Sequence, residues 1–142
     1  MTLVIRAFAK PDEAAVVALW RATGLTRPWN DPHADIARKQ TVQPELFLVG
    51  ELDGSIIASA MAGYDGHRGS VYYVAVSPDH QGRGYARAVM AEVERRLEAI
   101  GCPKLNLMVR HDNSVAIGFY KRLRYDEQAV VTLGKRLISD GQ

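Results

Sequence analysis

The chain has 142 residues, 47% of them hydrophobic, and a formal net charge of +2 with acidic and basic residues interspersed. This length suits one domain with a sizeable core, and the balanced charge excludes a basic nucleic-acid stripe or an acidic tail. The same charge balance predicts no nucleic-acid partner. No apolar run approaches the ~20 residues that span a bilayer, so we expect no membrane segment.

Cysteine and histidine usage indicates the compartment and the metal content. The one cysteine, Cys102, cannot form an intramolecular disulfide, and Met1 to Phe8 lacks the basic region, apolar core and cleavage site of a signal peptide. We therefore expect a cytoplasmic protein. The four histidines, at positions 33, 67, 80 and 111, show no zinc-binding spacing, which predicts that no metal is bound.

In chain order, the first predicted elements are a strand and two helices. Thr2 to Phe8 alternates apolar and polar residues, as an edge strand does. Lys10-Pro11-Asp12-Glu13 begins a helix, because proline suits the first turn and acids favour the positive pole of the helix. Gly24 ends that helix, and Asn30-Asp31-Pro32 begins a second, short helix over 34–40.

Three strands follow in the middle of the chain. Leu46 to Leu52 and Ile56 to Tyr64 are joined at Asp53-Gly54, which is a strong signal for a two-residue hairpin. After a turn at 65–69, the apolar run from Val71 to Val76 reads as a buried strand. Pro78 ends it, since proline has no N–H for the ladder.

The turn after this third strand is the most informative segment of the chain. Gly82 and Gly84 lead directly into a helical pattern with one apolar face, made by Tyr85, Val89, Val93, Leu97 and Ile100. Free backbone N–H groups and the positive end of the helix dipole favour an anion there, and glycine lets a bulky phosphate approach. Arg83 adds a cation. The segment predicts a diphosphate site; the alternative is a glycine-containing helix start without a ligand.

Other phosphate-binding loops do not match this turn. The chain has no Lys-Ser or Lys-Thr pair, which excludes a P-loop, and Arg87 stands where a dinucleotide fingerprint needs its third glycine. What remains, Gln81-x-x-Gly84-x-Ala86, resembles the pyrophosphate-binding signature of the GCN5-related N-acetyltransferases, the GNAT superfamily.

The rest of the chain extends this resemblance. Lys104 to Val109 is predicted to be a strand, Asp112 or Asn113 caps a helix to about Leu123, and Asp126 to Leu133 is a final strand. The order β-α-α-β-β-β-α-β-α-β indicates an α/β protein with a mixed, mostly antiparallel central sheet flanked by helices. That is the order of the GNAT (acyl-CoA N-acyltransferase) fold, in a single domain over residues 1–142.

The stretch from Val109 to Tyr125 resembles a later GNAT motif, in which an asparagine is followed by a helix that carries a tyrosine. By this resemblance, the main chain of Val74, Ala75 and Val76 binds the pantetheine arm and the acetyl carbonyl, and Asn113 contacts the arm. The same resemblance implies that the diphosphate is bound by Gln81, Gly82, Arg83, Gly84, Tyr85, Ala86 and Arg87.

Tyr120 matches the family tyrosine that protonates the leaving thiolate, which implies a role as general acid. The alternative for Tyr120 is a core aromatic at helical spacing with Ala116 and Leu123. Arg124 departs from the family pattern, which has glycine there in a left-handed conformation. The general base stays unassigned: relatives often carry a glutamate on the fourth strand, and the candidates here are Asp65, His67, His80 and Glu51.

Three further segments are similar to the small bacterial YpeA-type acetyltransferases: 27–32, 63–70 and 133–138. In the GNAT layout the loop between the first two helices covers the acceptor cleft. This implies that the acceptor is bordered by Trp29, Asn30, Tyr64, Tyr72 and Tyr73. Trp29 has an alternative role as a plug that anchors the loop.

The implied function is an acetyl-CoA-dependent N-acetyltransferase. A primary amine, on a small molecule or a peptide, attacks the thioester directly, and the protein is a monomer or homodimer. Two alternatives stay open. One is a coenzyme A-binding sensor or regulator without turnover, and the other is a nucleotide-binding protein.

Overall fold

The computed structural model describes residues 2–140, which divide into two compact units. One comprises residues up to 107 together with Asp140, and the other comprises 108–139. Within the described residues, no helix is both long enough and apolar enough to cross a membrane.

The first unit is built on one five-stranded sheet with the spatial order β1-β2-β3-β4-β5. Neighbouring strands are antiparallel except β4 and β5, which are parallel. This confirms the predicted mixed, mostly antiparallel sheet. The strands are β1 (Val4–Ala7), β2 (Phe47–Leu52), β3 (Ser55–Tyr64), β4 (Gly69–Val76) and β5 (Leu105–Asn106).

Three helices belong to this unit: α1 (Glu13–Ala22), α2 (Pro32–Lys39) and α3 (Tyr85–Ala99). Short 3-10 turns precede α1, β2 and the segment 81–84 that leads into α3; they are Lys10–Asp12, Pro44–Leu46 and Pro78–His80. The Asp31 carboxylate accepts the N–H groups of His33 and Ala34 at 2.9 and 3.3 Å, so it caps α2 as its sequence position predicts.

Helices cover both faces of the sheet. Phe47, Leu48, Val49 and Gly50 of β2 are all buried, although successive side chains of a strand point to opposite faces. Phe47 and Val49 pack in one cluster with α1 and α2, whose buried side chains include Trp20 and Ile36. The apolar face of α3 is buried on the sheet through Val89, Met90, Val93 and Leu97.

The second unit contains one helix, α4 (Ser114–Arg122). The Asn113 side-chain oxygen accepts the Ala116 N–H at 3.1 Å, so Asn113 rather than Asp112 is the cap. Beyond the helix, Arg124 has φ +73°, a left-handed conformation that favours glycine.

Two strands differ from the sequence prediction. The strand predicted over 104–109 is formed only at Leu105–Asn106, and the final strand predicted over Asp126–Leu133 is not formed. Val130 and Leu133 there are 75% and 91% exposed. The residue types favour a strand, but a strand also needs a ladder of backbone hydrogen bonds to a neighbour, and no such ladder is formed by residues 126–133.

Arg124→Gly will stabilise the protein. The left-handed backbone costs a residue with a side chain about 1 to 2 kcal/mol, and the extra freedom of glycine in the unfolded chain returns part of this. We expect the free energy of unfolding to rise by about 0.5 to 1 kcal/mol, measured from the urea midpoint. Arg122→Gly, at the last residue of α4, is the control and should lower it by up to about 1 kcal/mol; a loss of stability in both variants would contradict the strain at Arg124.

Candidate functional site

The central strand β4 carries a β-bulge. Ser59 of β3 pairs with Ala75 and Met61 pairs with Tyr72, so Tyr73 and Val74 together face Ala60. Tyr73 has φ +54°, which is unusual for a residue with a side chain and costs of order 1 kcal/mol or more. Strained backbone of this kind is found preferentially at binding and active sites.

A buried hydrogen-bond chain holds the bulge in place. The indole N–H of Trp20 donates to the Ser59 hydroxyl oxygen at 2.9 Å, and that hydroxyl donates to the Tyr73 carbonyl at 2.7 Å. The rings of Trp20 and Tyr73 are stacked with their centroids 3.7 Å apart. Both Trp20 and Ser59 are fully buried, so two polar groups of the core together fix the position of one carbonyl.

Ser59→Ala will destabilise the protein by about 2 to 4 kcal/mol, because it leaves the buried Trp20 N–H without its acceptor and the Tyr73 carbonyl without this donor. Chemical denaturation measures the loss. Ser55→Ala, at the exposed start of the same strand, should change stability by no more than about 0.5 kcal/mol. Equal small effects at both positions would show that the chain of hydrogen bonds contributes nothing.

Before the bulge, β4 separates from the parallel strand β5. The ladder pairs Gly69 with Leu105 and Ser70 with Asn106, and it stops there. In the described chain, the β5-facing edge of β4 from 71 to 76 therefore has no strand beside it. An extended, amide-containing molecule can bind such an edge as an added strand. Val74, Ala75 and Val76 lie on this open stretch.

The turn from Gln81 to Gly84 (the glycine turn) connects this strand to α3. Gly82 and Gly84 have φ +77° and +84°, and a Cβ at either would meet nothing within 4 Å. The Gln81 side-chain N–H donates to the Val76 carbonyl at 3.0 Å, which ties the turn to the end of β4. The sequence predicted the turn with its two glycines, and the structure adds that both are left-handed.

The backbone donors of the glycine turn are unused. Of the described residues, none places an acceptor on the amides of residues 82–87; the first helical bond of α3 runs from Ala88 N–H to the Gly84 carbonyl. These residues lie at the N-terminus of a 15-residue helix, where the dipole is positive. The turn can therefore bind an anion through its main chain. Nearby, the buried Nδ1 of His80 has no partner among the described residues.

A cavity of about 540 Å³ (the β4 cavity) lies on the α2 side of β3 and β4. Of the five residues predicted to border the acceptor, Asn30, Tyr72 and Tyr73 line it. Trp29, 54% exposed, and Tyr64, whose hydroxyl donates to the Gly101 carbonyl at 3.4 Å, do not. The lining comprises Leu25, Asn30, Asp35, Arg38, Lys39, Val42, Met61, Ala62, Gly63, Ser70, Tyr72 and Tyr73.

Charged side chains of α2 make one wall of the β4 cavity. The Tyr73 hydroxyl donates to the Asp35 carboxylate at 2.6 Å, and Arg38 donates to the same carboxylate at 3.0 Å and also to Asp140. Burial, and then the hydrogen bond to Asp35, raise the pKa of Tyr73 well above its usual value. Tyr73 therefore stays protonated and keeps Asp35 oriented toward the bulge.

Asp35, Arg38 and Lys39 were not identified from the sequence. In a short helix, an acid in the first turn and bases in the last turn are ordinary helix chemistry, so the pattern alone gives no functional signal. Two of the base candidates have other partners: Asp65 accepts the N–H groups of His67 and Arg68, both at 2.8 Å, and Glu51 pairs with Arg6 at 2.9 Å. Residues 2–140 contain no cluster of three or more side chains suited to a metal.

In the second unit, Tyr120 lies between two other rings. Its ring meets those of Phe119 and Tyr125 edge to face, with centroid distances of 5.0 and 5.8 Å. Burial raises the pKa of Tyr120 above its ordinary value. Its hydroxyl therefore keeps its proton at neutral pH.

Comparison with known proteins shows one family by sequence and a similar fold among solved structures. A model of the acetyltransferase (GNAT) family matches residues 14–125. An acetyltransferase of Yersinia pestis is 54% identical over 136 residues, 96% of each chain. The ribosomal-protein-S18-alanine N-acetyltransferase of Escherichia coli has a similar fold, with a TM-score of 0.75 at 23% identity over 90% of this chain and 80% of that one. AAC(6')-Iy, solved with the bisubstrate analog CoA-S-monomethyl-acetylneamine, has a TM-score of 0.76 at 19% identity, over 96% of this chain and 99% of that one.

Proposed function

Because this chain belongs to the acetyltransferase (GNAT) family, whose model matches residues 14–125, we propose that it transfers the acetyl group of acetyl-CoA to a primary amine. We further propose that residues 1–142 work as a single cytoplasmic N-acetyltransferase domain, as a monomer or homodimer, without a metal.

One observation carries this proposal: the unused amides of residues 82–87 in a left-handed turn at the start of α3. A diphosphate has several charged oxygens, and each can accept one of these N–H groups in a charge-assisted hydrogen bond. The two glycines leave open space where the phosphates approach. In the proposal, Gln81 to Arg87 hold the diphosphate, and Arg83 and Arg87 contribute positive charge.

The open edge of β4 fits the remainder of the cofactor. Main-chain groups of Val74, Ala75 and Val76 bind the amide-containing pantetheine arm as an added strand. Acetyl-CoA supplies a thioester that an amine can attack. A backbone N–H at the bulge donates to the acyl oxygen and so stabilises the negative charge that develops on it. The hydrogen bonds from Trp20 to Ser59 and from Ser59 to the Tyr73 carbonyl hold this main chain in position.

In this proposal Tyr120 supplies the acid. Tyr120 holds a proton at its hydroxyl for the departing thiolate, and the raised pKa keeps that proton in place at neutral pH. Asn113 contacts the pantetheine arm with the side-chain groups that remain free when its oxygen caps α4.

The β4 cavity is the proposed acceptor site, where Asn30, Tyr72 and Tyr73 contact the amine-bearing molecule. Trp29 and Tyr64 are proposed to border it as the acceptor enters. Solved structures of similar fold are named for acceptors as different as an alanine of a ribosomal protein and an aminoglycoside.

The deciding experiment measures acetyl transfer from acetyl-CoA across a panel of peptide α-amines, lysine side chains, polyamines and aminoglycosides. We expect turnover of at least one class above the rate without protein. Binding of coenzyme A with no turnover of any amine would favour a sensor or regulator. A larger rise in melting temperature with ATP or NAD than with coenzyme A, at equal concentrations, would favour a nucleotide-binding protein.

A further inference from the structure

The charges on the wall of the β4 cavity are separated into two ends. At the end beside the bulge, one cation, Arg38, lies between two carboxylates, Asp35 and Asp140. This group therefore has a net negative charge, and the Tyr73 hydroxyl connects it to the bulge in β4. A positively charged amine is attracted to this end by the negative potential.

The other end of the cavity carries one cation, Lys39. Its Nζ lies 3.5 Å from the position that a Cβ on Gly63 would take, so it reaches over the sheet at the level of Gly63. Lys39 is half-buried and, in the described chain, no carboxylate lies within ion-pair distance of it. Burial lowers the pKa of Lys39, and the charge of Glu45, which acts at longer range, raises it by less. A partly desolvated cation without a counter-ion favours an anionic ligand.

The strand register gives the distance between the two ends. Gly63 pairs with Ser70, and Val74 at the bulge comes four residues later in β4. At about 3.3 Å per residue, the level of Lys39 is about 13 Å from the acyl site. A hydrogen-bonded ammonium–carboxylate contact takes up about 3 Å of this span. About 10 Å therefore separate an amine at the bulge from an anion on Lys39.

We propose that the acceptor is a primary amine that also carries a carboxylate about 10 Å away, with the carboxylate bound to Lys39 and the amine near Asp35. This proposal rests on the proposed acetyl transfer and names the class of acceptor. An extended tripeptide with a free α-amine and a free C-terminal carboxylate has this length, because each extended residue spans about 3.3 to 3.6 Å. Met61 and Tyr72 line the cavity between the ends and suit the peptide's middle.

The test compares Ala-Ala-Ala with its C-terminal amide as acceptors. For the wild-type protein, we expect kcat/KM to favour the free carboxylate about tenfold, mainly through KM, because only the carboxylate pairs with Lys39. Lys39→Met should remove this preference by lowering kcat/KM for the free acid much more than for the amide. Lys39→Glu should reverse it, and Lys39→Arg should keep it. Lys135→Met, at an exposed position, is the matched control and should change nothing.

Three outcomes would overturn the inference. The first is equal kcat/KM for the acid and the amide with the wild-type protein, and the second is an equal loss for both acceptors in Lys39→Met. Turnover of other amines with neither tripeptide acetylated would also overturn it while leaving the proposed acetyltransferase activity intact. Absence of all turnover would instead contradict that activity. An unchanged dissociation constant for coenzyme A shows that each variant is folded.

Discussion

Gly84→Ala will weaken coenzyme A binding by about 100-fold or more, whereas Gly54→Ala will leave it unchanged. Both glycines are left-handed, with φ +84° and +78°, and a Cβ at either meets nothing within 4 Å. The strain on the backbone is therefore the same, of order 1 to 2 kcal/mol. Only at Gly84 does relaxation of that strain move the donors that are proposed to hold the diphosphate. Hydrogen bonds to a charged group contribute about 1.5 to 3 kcal/mol each, so loss of two gives at least 100-fold.

Calorimetric titration of both variants with coenzyme A measures this difference. Denaturation with urea should show a similar loss of stability in the two, which separates strain from binding. An equal dissociation constant for wild type and Gly84→Ala would contradict the placement of the diphosphate on the glycine turn.

Tyr120→Phe will lower kcat by about 10- to 1,000-fold and leave the affinity for coenzyme A unchanged. The change removes the hydroxyl that is proposed to protonate the thiolate and keeps the ring that packs on Phe119. Tyr125→Phe is the matched control, because its ring contacts that of Tyr120 edge to face. It should keep kcat within a few-fold. Unchanged turnover in Tyr120→Phe would assign Tyr120 to packing alone.

The pH dependence of kcat adds a second readout for Tyr120. A general acid is active while protonated, and burial raises the pKa of Tyr120 above its ordinary value near 10. On the alkaline side, kcat should therefore stay constant to about pH 10 and fall only above it. Tyr120→Phe should lack this alkaline fall. A wild-type kcat that falls well below pH 10 and keeps the same profile in the variant would point to another group.

Local signals in the sequence were sufficient for much of the fold. Asp53 and Gly54 have φ +50° and +78°, as a two-residue hairpin turn requires, and the residue types alone indicate this turn. Asp31 caps α2 and Gly84 precedes α3 as predicted. Each of these features depends on the conformational preference of one or two residues, so it can be read without knowledge of tertiary contacts.

The features that were missed depend on contacts between distant segments. Tyr73 has no glycine-like preference for a positive φ; its conformation is fixed by Ser59 and Trp20, which are far from it in the chain. Asp35 and Lys39 become parts of a site only because α2 packs beside β3 and β4. The final strand was predicted from residue types at 126–133, but pairing rather than propensity decides whether a strand forms.

A crystal structure of the protein with coenzyme A tests the central claim most directly. The result we expect is a diphosphate whose oxygens lie within about 3.2 Å of at least two backbone nitrogens among residues 82–87. A diphosphate bound elsewhere, with those amides still facing solvent, would contradict the account.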